Sequence, residues 1–199
     1  MKKKIAIIIA VLMTFSLTGC YLTLTEPEEV VTDFFEGLKT KNEDALILYT
    51  KNEDINMLLH SKGNGEALDK MYESLFRNFS YKILSTKKNE EETAATMEVE
   101  LANADFSEVL KSYQKEAYNY MERNLYSGDM SKQALNKKCL EIFAAQVEKA
   151  AEKAEPGSKN VPQAQTITIN LTKNKNYSWD MELTEEMMEI IMGGLIIPL

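Results

Sequence analysis

Histidine is almost missing from this chain: His60 is the single copy among 199 residues. A Ser-His-Asp or Cys-His arrangement would therefore depend on one residue at the edge of the loop-forming stretch Lys62-Gly63-Asn64-Gly65. No Gly-X-Ser-X-Gly elbow, His-Glu-X-X-His pair or Cys-X-X-Cys pair occurs. Gly63 and Gly65 are not followed by Lys-Ser/Thr, so no phosphate-cradling loop is present. The acidic stretch Asn52-Glu53-Asp54 is too short for a calcium loop and reads as solvated surface. These absences nominate no catalytic residue and no metal ligand, and they imply no cofactor. Positive charge is also short, with 23 Lys and Arg against 31 Asp and Glu. No basic patch stands out, which argues against a nucleic-acid partner.

Long apolar runs are equally scarce. Residues 5–17 form one nearly uninterrupted apolar stretch behind Lys2, Lys3 and Lys4. It falls short of the ~20 residues that a membrane-spanning helix needs. Its length, and the basic residues before it, suit a secretory signal. The stretch runs into Leu17-Thr18-Gly19-Cys20. That tetrapeptide resembles the lipobox of bacterial lipoproteins. The resemblance implies cleavage after residue 19 and attachment of a diacylglyceryl group to the Cys20 sulfur. Two acyl chains on one residue hold a protein on a bilayer stably, whereas one chain binds reversibly. The alternative is an ordinary cleaved signal with Cys20 there by coincidence.

Cleavage would remove three lysines and no acids, leaving 20 basic residues against 31 acidic ones and a net charge of −11. An anionic leaflet repels such a domain. Only Cys139 would remain as a thiol, so no disulfide is expected within the chain. Its place among apolar residues at helical spacing suits a small buried hydrophobe. Residues 20–27 read as a lipidated cysteine and short tether, in which Leu22 and Leu24 alternate with threonines as in a small edge strand. Seven residues from Tyr21 reach at most ~25 Å, so the domain of residues 28–199 should sit close to the membrane.

Within that domain, Val30, Val31, Phe34, Phe35 and Leu38 recur at helical spacing behind Pro27-Glu28-Glu29. Shorter helices are expected over 43–49 and 55–60, and a longer one from Glu66 with Met71, Tyr72, Leu75, Phe76 and Phe79 on one face. The period then changes to two. Phe79, Tyr81 and Ile83, then Ala95, Met97, Val99 and Leu101, predict a hairpin with one wet face around Asn89-Glu90-Glu91-Glu92. Two long helices are expected over 106–155, the first stopped at Ser127-Gly128, the second capped by Ser131 and ended by Pro156-Gly157. Residues 159–164 read as a polar linker. Ile167, Ile169 and Leu171 predict a strand, and Tyr177, Trp179, Met181 and Leu183 the inward face of a last one. Thr184 should open a final helix that Gly193-Gly194 ends.

Helices and strands in separate runs predict an α+β fold: a curved antiparallel sheet of about four strands wrapped on N-terminal helices, with an inserted helical pair at about 106–155. The segment EPEEVVTDFFEGLKTKNEDALILYT resembles the opening of the nuclear-transport-factor-2-like, or cystatin-like, α+β roll found in many Gram-positive lipoproteins. The resemblance implies a pocket between the first helix and the sheet, for which Tyr177 and Trp179 are the aromatic candidates. The leading functional expectation is an extracytoplasmic binding module on a lipid anchor at the cell membrane. Its partners would be the membrane, and a small apolar ligand or an envelope protein. The alternatives are an envelope hydrolase using acidic residues and an accessory subunit of an envelope complex.

Overall fold

The computed structural model describes residues 26–60, 65–124, 131–154 and 162–197. The expected signal segment, Cys20, the Leu22–Leu24 alternation, Ser127-Gly128, Pro156-Gly157 and half of the 159–164 linker lie outside the described residues. Among the described residues no helix is long and apolar enough to cross a membrane.

Helix α1, Pro27–Thr40, starts where the sequence says it should. Pro27 occupies the first turn, and the Glu29 carboxylate accepts from the Glu26 N–H at 3.1 Å. Lys41 ends it in the left-handed region, its N–H returned to the Gly37 carbonyl. Val31, Phe34, Phe35 and Leu38 are wholly buried. Helix α2, Glu43–Leu46, passes into a 3-10 turn over Ile47–Tyr49. Helix α3 is Glu53–His60 and α4 is Glu66–Phe76. The Tyr72 hydroxyl donates to the Leu38 carbonyl at 2.7 Å, tying α4 to the end of α1.

Strands β1, Ser80–Lys88, β2, Ala94–Ala102, β3, Gln165–Lys173, and β4, Trp179–Met181, form one antiparallel sheet in the order β1-β2-β3-β4. Ala95, Met97 and Val99 stand opposite Leu171, Ile169 and Ile167. These six side chains make the centre of the inner face, while Thr96 and Glu98 turn to water. Leu84, 43% exposed, stands on the outward side with Ser80 and Lys82, and the register shift between Ile83 and Ser85 ends the regular alternation of β1 just after it. Phe79 and Phe106 are buried but lie outside regular elements, in the chain entering β1 and leaving β2.

The inserted pair is present: α5 is Val109–Asn124 and α6 is Lys132–Lys153. The Ser131 hydroxyl caps α6 by accepting from the Ala134 N–H at 3.1 Å. Phe143, Ala144, Val147 and Ala151 bury the inner side of α6. Lys70 pairs with Glu148 at 2.9 Å and the Asn78 amide donates to the Ala151 carbonyl, joining α6 to α4 and the turn after it. Helix α7, Glu185–Met192, is capped by Thr184 and closed by Gly193 in the left-handed region.

Two expectations are corrected. The last strand starts at Trp179, not at Tyr177. The Asn174 side chain accepts from the N–H groups of Asn176 and Ser178 and winds the chain into a turn. That turn holds Tyr177 at φ +60 and 64% exposed. Leu183 accordingly lies past the strand, half-buried. Cys139 is half-buried rather than enclosed, with Tyr113 of α5 beside it.

Ser74 is fully buried in α4, and its hydroxyl has no hydrogen-bond partner among the described residues. An unsatisfied buried hydroxyl costs ~1–3 kcal/mol. Ser74→Ala is therefore expected to leave stability unchanged or raise it by about 1 kcal/mol in urea unfolding; a loss of that size would show that the hydroxyl has a partner.

Candidate functional site

The space between α1 and the sheet is filled with side chains. Phe35 lies 4.8 Å from Tyr81 and 5.7 Å from Phe79, centroid to centroid, and Phe34 meets Tyr49 edge-on at 4.7 Å. Trp179 is buried there with Lys173 over its ring at 5.0 Å. Tyr177, its expected companion, is on the far side of a turn in solvent. The structure therefore does not bring the two aromatic candidates together.

A cleft of about 850 Å³ lies elsewhere, at the end of the sheet where β2 finishes and β3 begins. Four separate stretches wall it. The chain leaving β2 contributes Asn103, Asp105, Ser107 and Glu108, and α5 adds Val109 and Ser112. The last turns of α6 contribute Gln146, Lys149, Ala150 and Lys153. Pro162, Gln163 and Gln165 come from the start of β3, and Glu186, Glu189, Ile190 and the two glycines from α7 and its end.

Hydrogen bonds fix the first of these walls. The Asn103 amide donates to the Leu75 carbonyl at 3.1 Å and to the Ile191 carbonyl at 2.6 Å, while its own oxygen accepts from the Ala104 N–H. One side chain thus ties α4, the end of β2 and α7. The Phe106 N–H donates to the Gly193 carbonyl at 2.7 Å. Next to it, the Asp105 carboxylate accepts from both the hydroxyl and the N–H of Ser107, at 2.6 and 2.9 Å. Those two donors hold its carboxyl below the ordinary aspartate range, the hydroxyl contributing most.

The sign follows from that shift. The contribution of Asp105 to stability is present above the unfolded aspartate range and is lost as pH falls through the lower folded value. Ser107→Ala is expected to bring the Asp105 titration, followed by carboxyl NMR, back up toward the ordinary value. An unshifted titration in that variant would remove Ser107 as the cause.

Four carboxylates and two lysines line this cleft. Glu108 also pairs with Lys111 at 3.2 Å across one turn. Such a lining suits a polar or zwitterionic ligand better than an apolar one. Among the described residues no group of three or more His, Cys, Asp or Glu is placed to hold a metal ion.

The other sequence candidates are scattered. His60 closes α3. Asn52 caps that helix by accepting from the Ile55 N–H at 3.2 Å, and burial raises the Asp54 carboxyl, with Glu53 adding to the effect. Glu90, Glu91 and Glu92 are exposed in the β1–β2 turn. Burial, with Cys139 second, raises the Tyr113 hydroxyl. None of these residues lines the cleft. Of the cleft residues, only the Asn-Ala-Asp-Phe-Ser run at 103–107 carries a local signal, a cluster of turn-forming side chains directly after a strand.

No family model matches the chain, and no curated protein matches it. Among solved structures it is similar to YcdA, a candidate lipoprotein of Bacillus subtilis, at 18% identity and a TM-score of 0.43, over 87% of this chain and 48% of that one. The chain thus spans about half the length of that protein, and a likeness at this level assigns neither fold nor function.

Proposed function

We propose that this chain is a lipid-anchored extracytoplasmic binding module, held to the membrane through Cys20, that takes a polar small molecule or peptide segment into the cleft between α5, α6 and α7. The observation that carries the reading is the cleft itself. Its volume of about 850 Å³ lies in the range of small-molecule sites, ~300–1,000 Å³, and its walls carry both charged and apolar groups. The basic n-region, the apolar stretch and Leu17-Thr18-Gly19-Cys20 support the anchor. Helix α1 laid against an antiparallel sheet supports the α+β-roll reading, with the ligand site moved from the roll's interior to its helical insertion.

The convergence of Asp105, Glu108, Glu186 and Glu189 on one cleft favours a second reading, an envelope hydrolase. That chemistry needs one carboxyl held protonated near neutral pH. Asp105 is shifted the other way, and Asp54, which is shifted upward, does not line the cleft. Asp105 therefore does not suit the role of that acid.

The test is to purify the protein from membranes in mild detergent and identify co-purifying small molecules and peptides by mass spectrometry, beside Ser112→Trp and Lys149→Glu. Ser112 is exposed on the cleft wall, so a tryptophan there fills space without entering the core. A cleft ligand is lost from Ser112→Trp and weakened in Lys149→Glu. A ligand retained equally by both variants would place binding elsewhere.

A further inference from the structure

Glu26, the first described residue, and the cleft lie at opposite ends of the sheet. At one end, Lys88 at the close of β1 forms an ion pair with Glu26, the residue just before α1. Ten residues along α1, Glu36 accepts from the Tyr81 hydroxyl at 3.0 Å, so α1 runs antiparallel to β1 and its N-terminus stays at the β1–β2 turn. The Lys173 N–H donates to the Thr93 carbonyl at 2.8 Å, which sets the β3–β4 turn beside that first turn. At the other end, Asn103 follows β2 and Gln165 opens β3, and both line the cleft. The β2–β3 register runs from Ala94 opposite Thr172 to Leu101 opposite Gln165. Seven steps of ~3.3 Å make that span ~23 Å.

Resting on the lipoprotein reading above, we propose that the end carrying the two hairpin turns faces the phospholipid headgroups and that the cleft is held away from the membrane, open to ligands on the extracytoplasmic side. Five residues separate Cys20 from Glu26. Six steps of ~3.5 Å reach at most ~21 Å. Standing the domain on its cleft end would lift Glu26 by ~23 Å or more, beyond that reach. Tyr177 and Lys175, both exposed in the β3–β4 turn, are then at the lipid-facing end, and an exposed tyrosine suits the headgroup level. Glu90, Glu91 and Glu92 share that end and oppose close contact with an anionic leaflet. The tether, rather than charge, therefore sets the orientation.

The experiment uses the intact lipidated protein in phosphatidylcholine vesicles that carry a headgroup-linked energy-transfer acceptor. Cys139→Ser removes the competing thiol, and a donor dye is placed on Lys175→Cys or on Gln163→Cys, both exposed positions. Thermal unfolding of each variant checks that the fold is kept. Transfer from position 175 should exceed transfer from position 163 several-fold. Equal transfer, or more from 163, in protein that floats with the vesicles and carries lipid on Cys20 would overturn the orientation alone. Protein that carries no lipid and does not float would overturn the anchor, and the orientation with it.

Discussion

Phe35→Ala is expected to lower the unfolding free energy by about 3–5 kcal/mol, measured by urea unfolding at constant m-value. Phe35 is fully buried, and its ring meets Phe34 at 5.4 Å, Tyr81 at 4.8 Å and Phe79 at 5.7 Å. Those neighbours sit on α1, on β1 and in the chain entering β1. The strand is fixed in register by β2, and α1 is fixed at both ends, by Lys88 on Glu26 and by Tyr72 on Leu38. The walls therefore cannot close on the space an alanine leaves, which puts the loss in the upper part of the usual range. A domain of this size is stable by only ~5–15 kcal/mol, so the variant should unfold several degrees lower or fail to accumulate. Leu48→Ala is the internal control. Leu48 is 80% exposed, and its removal should change stability by less than ~0.5 kcal/mol. Similar losses in both variants would contradict the placement of α1 on the sheet.

Gly193→Ala should be nearly as damaging, for a different reason. Gly193 holds φ +58, where an L-residue costs ~1–2 kcal/mol. A Cβ there would stand 2.0 Å from the Ala104 carbonyl oxygen and 2.7 Å from a Phe106 ring carbon. The oxygen is backbone and cannot rotate away, so α7 and the chain leaving β2 must separate. Separation also breaks the Phe106 N–H bond to the Gly193 carbonyl, worth ~1 kcal/mol. The expected loss is at least ~3 kcal/mol, with weaker ligand binding because both displaced segments wall the cleft. Gly194→Ala separates the two effects. Gly194 is also left-handed, at φ +71, but the nearest contact of its Cβ would be Ser107 at an ordinary 3.5 Å. Only the conformational cost of ~1–2 kcal/mol should appear there. Equal losses at the two glycines would show that the close approach to Ala104 is not made.

What could be read from the sequence followed from local periodicity. Ala95, Met97, Val99 and Leu101, with Ile167, Ile169 and Leu171, announced a half-wet sheet, because a strand buried on one face must alternate. Val31, Phe34, Phe35 and Leu38 announced α1 in the same way, and Ser131 and Thr184 marked helix starts that the structure keeps. Tyr177 continued the alternation of the last strand on paper. The Asn174 side chain overrides that pattern by capturing two N–H groups of its own turn. The cleft had no comparable signature. Its walls come from residues 103–112, 146–154, 162–165 and 186–194, and nothing in the spacing of any one stretch tells of the others. Its polar side chains resemble an ordinary solvated surface until the end of α7 is seated on the chain leaving β2. The space between α1 and the sheet, for which Tyr177 and Trp179 are the aromatic candidates, is taken up by Phe35 and its neighbours.

The most direct test is the intact mass of the protein purified from the membranes of cells expressing the full chain. The expected species begins at Cys20, lacks residues 1–19 and carries a diacylglyceryl group on the cysteine sulfur, and Cys20→Ala abolishes it. A membrane-purified protein that keeps residues 1–19, or that begins at an unmodified Cys20, would contradict the lipid anchor and the orientation of the cleft that depends on it.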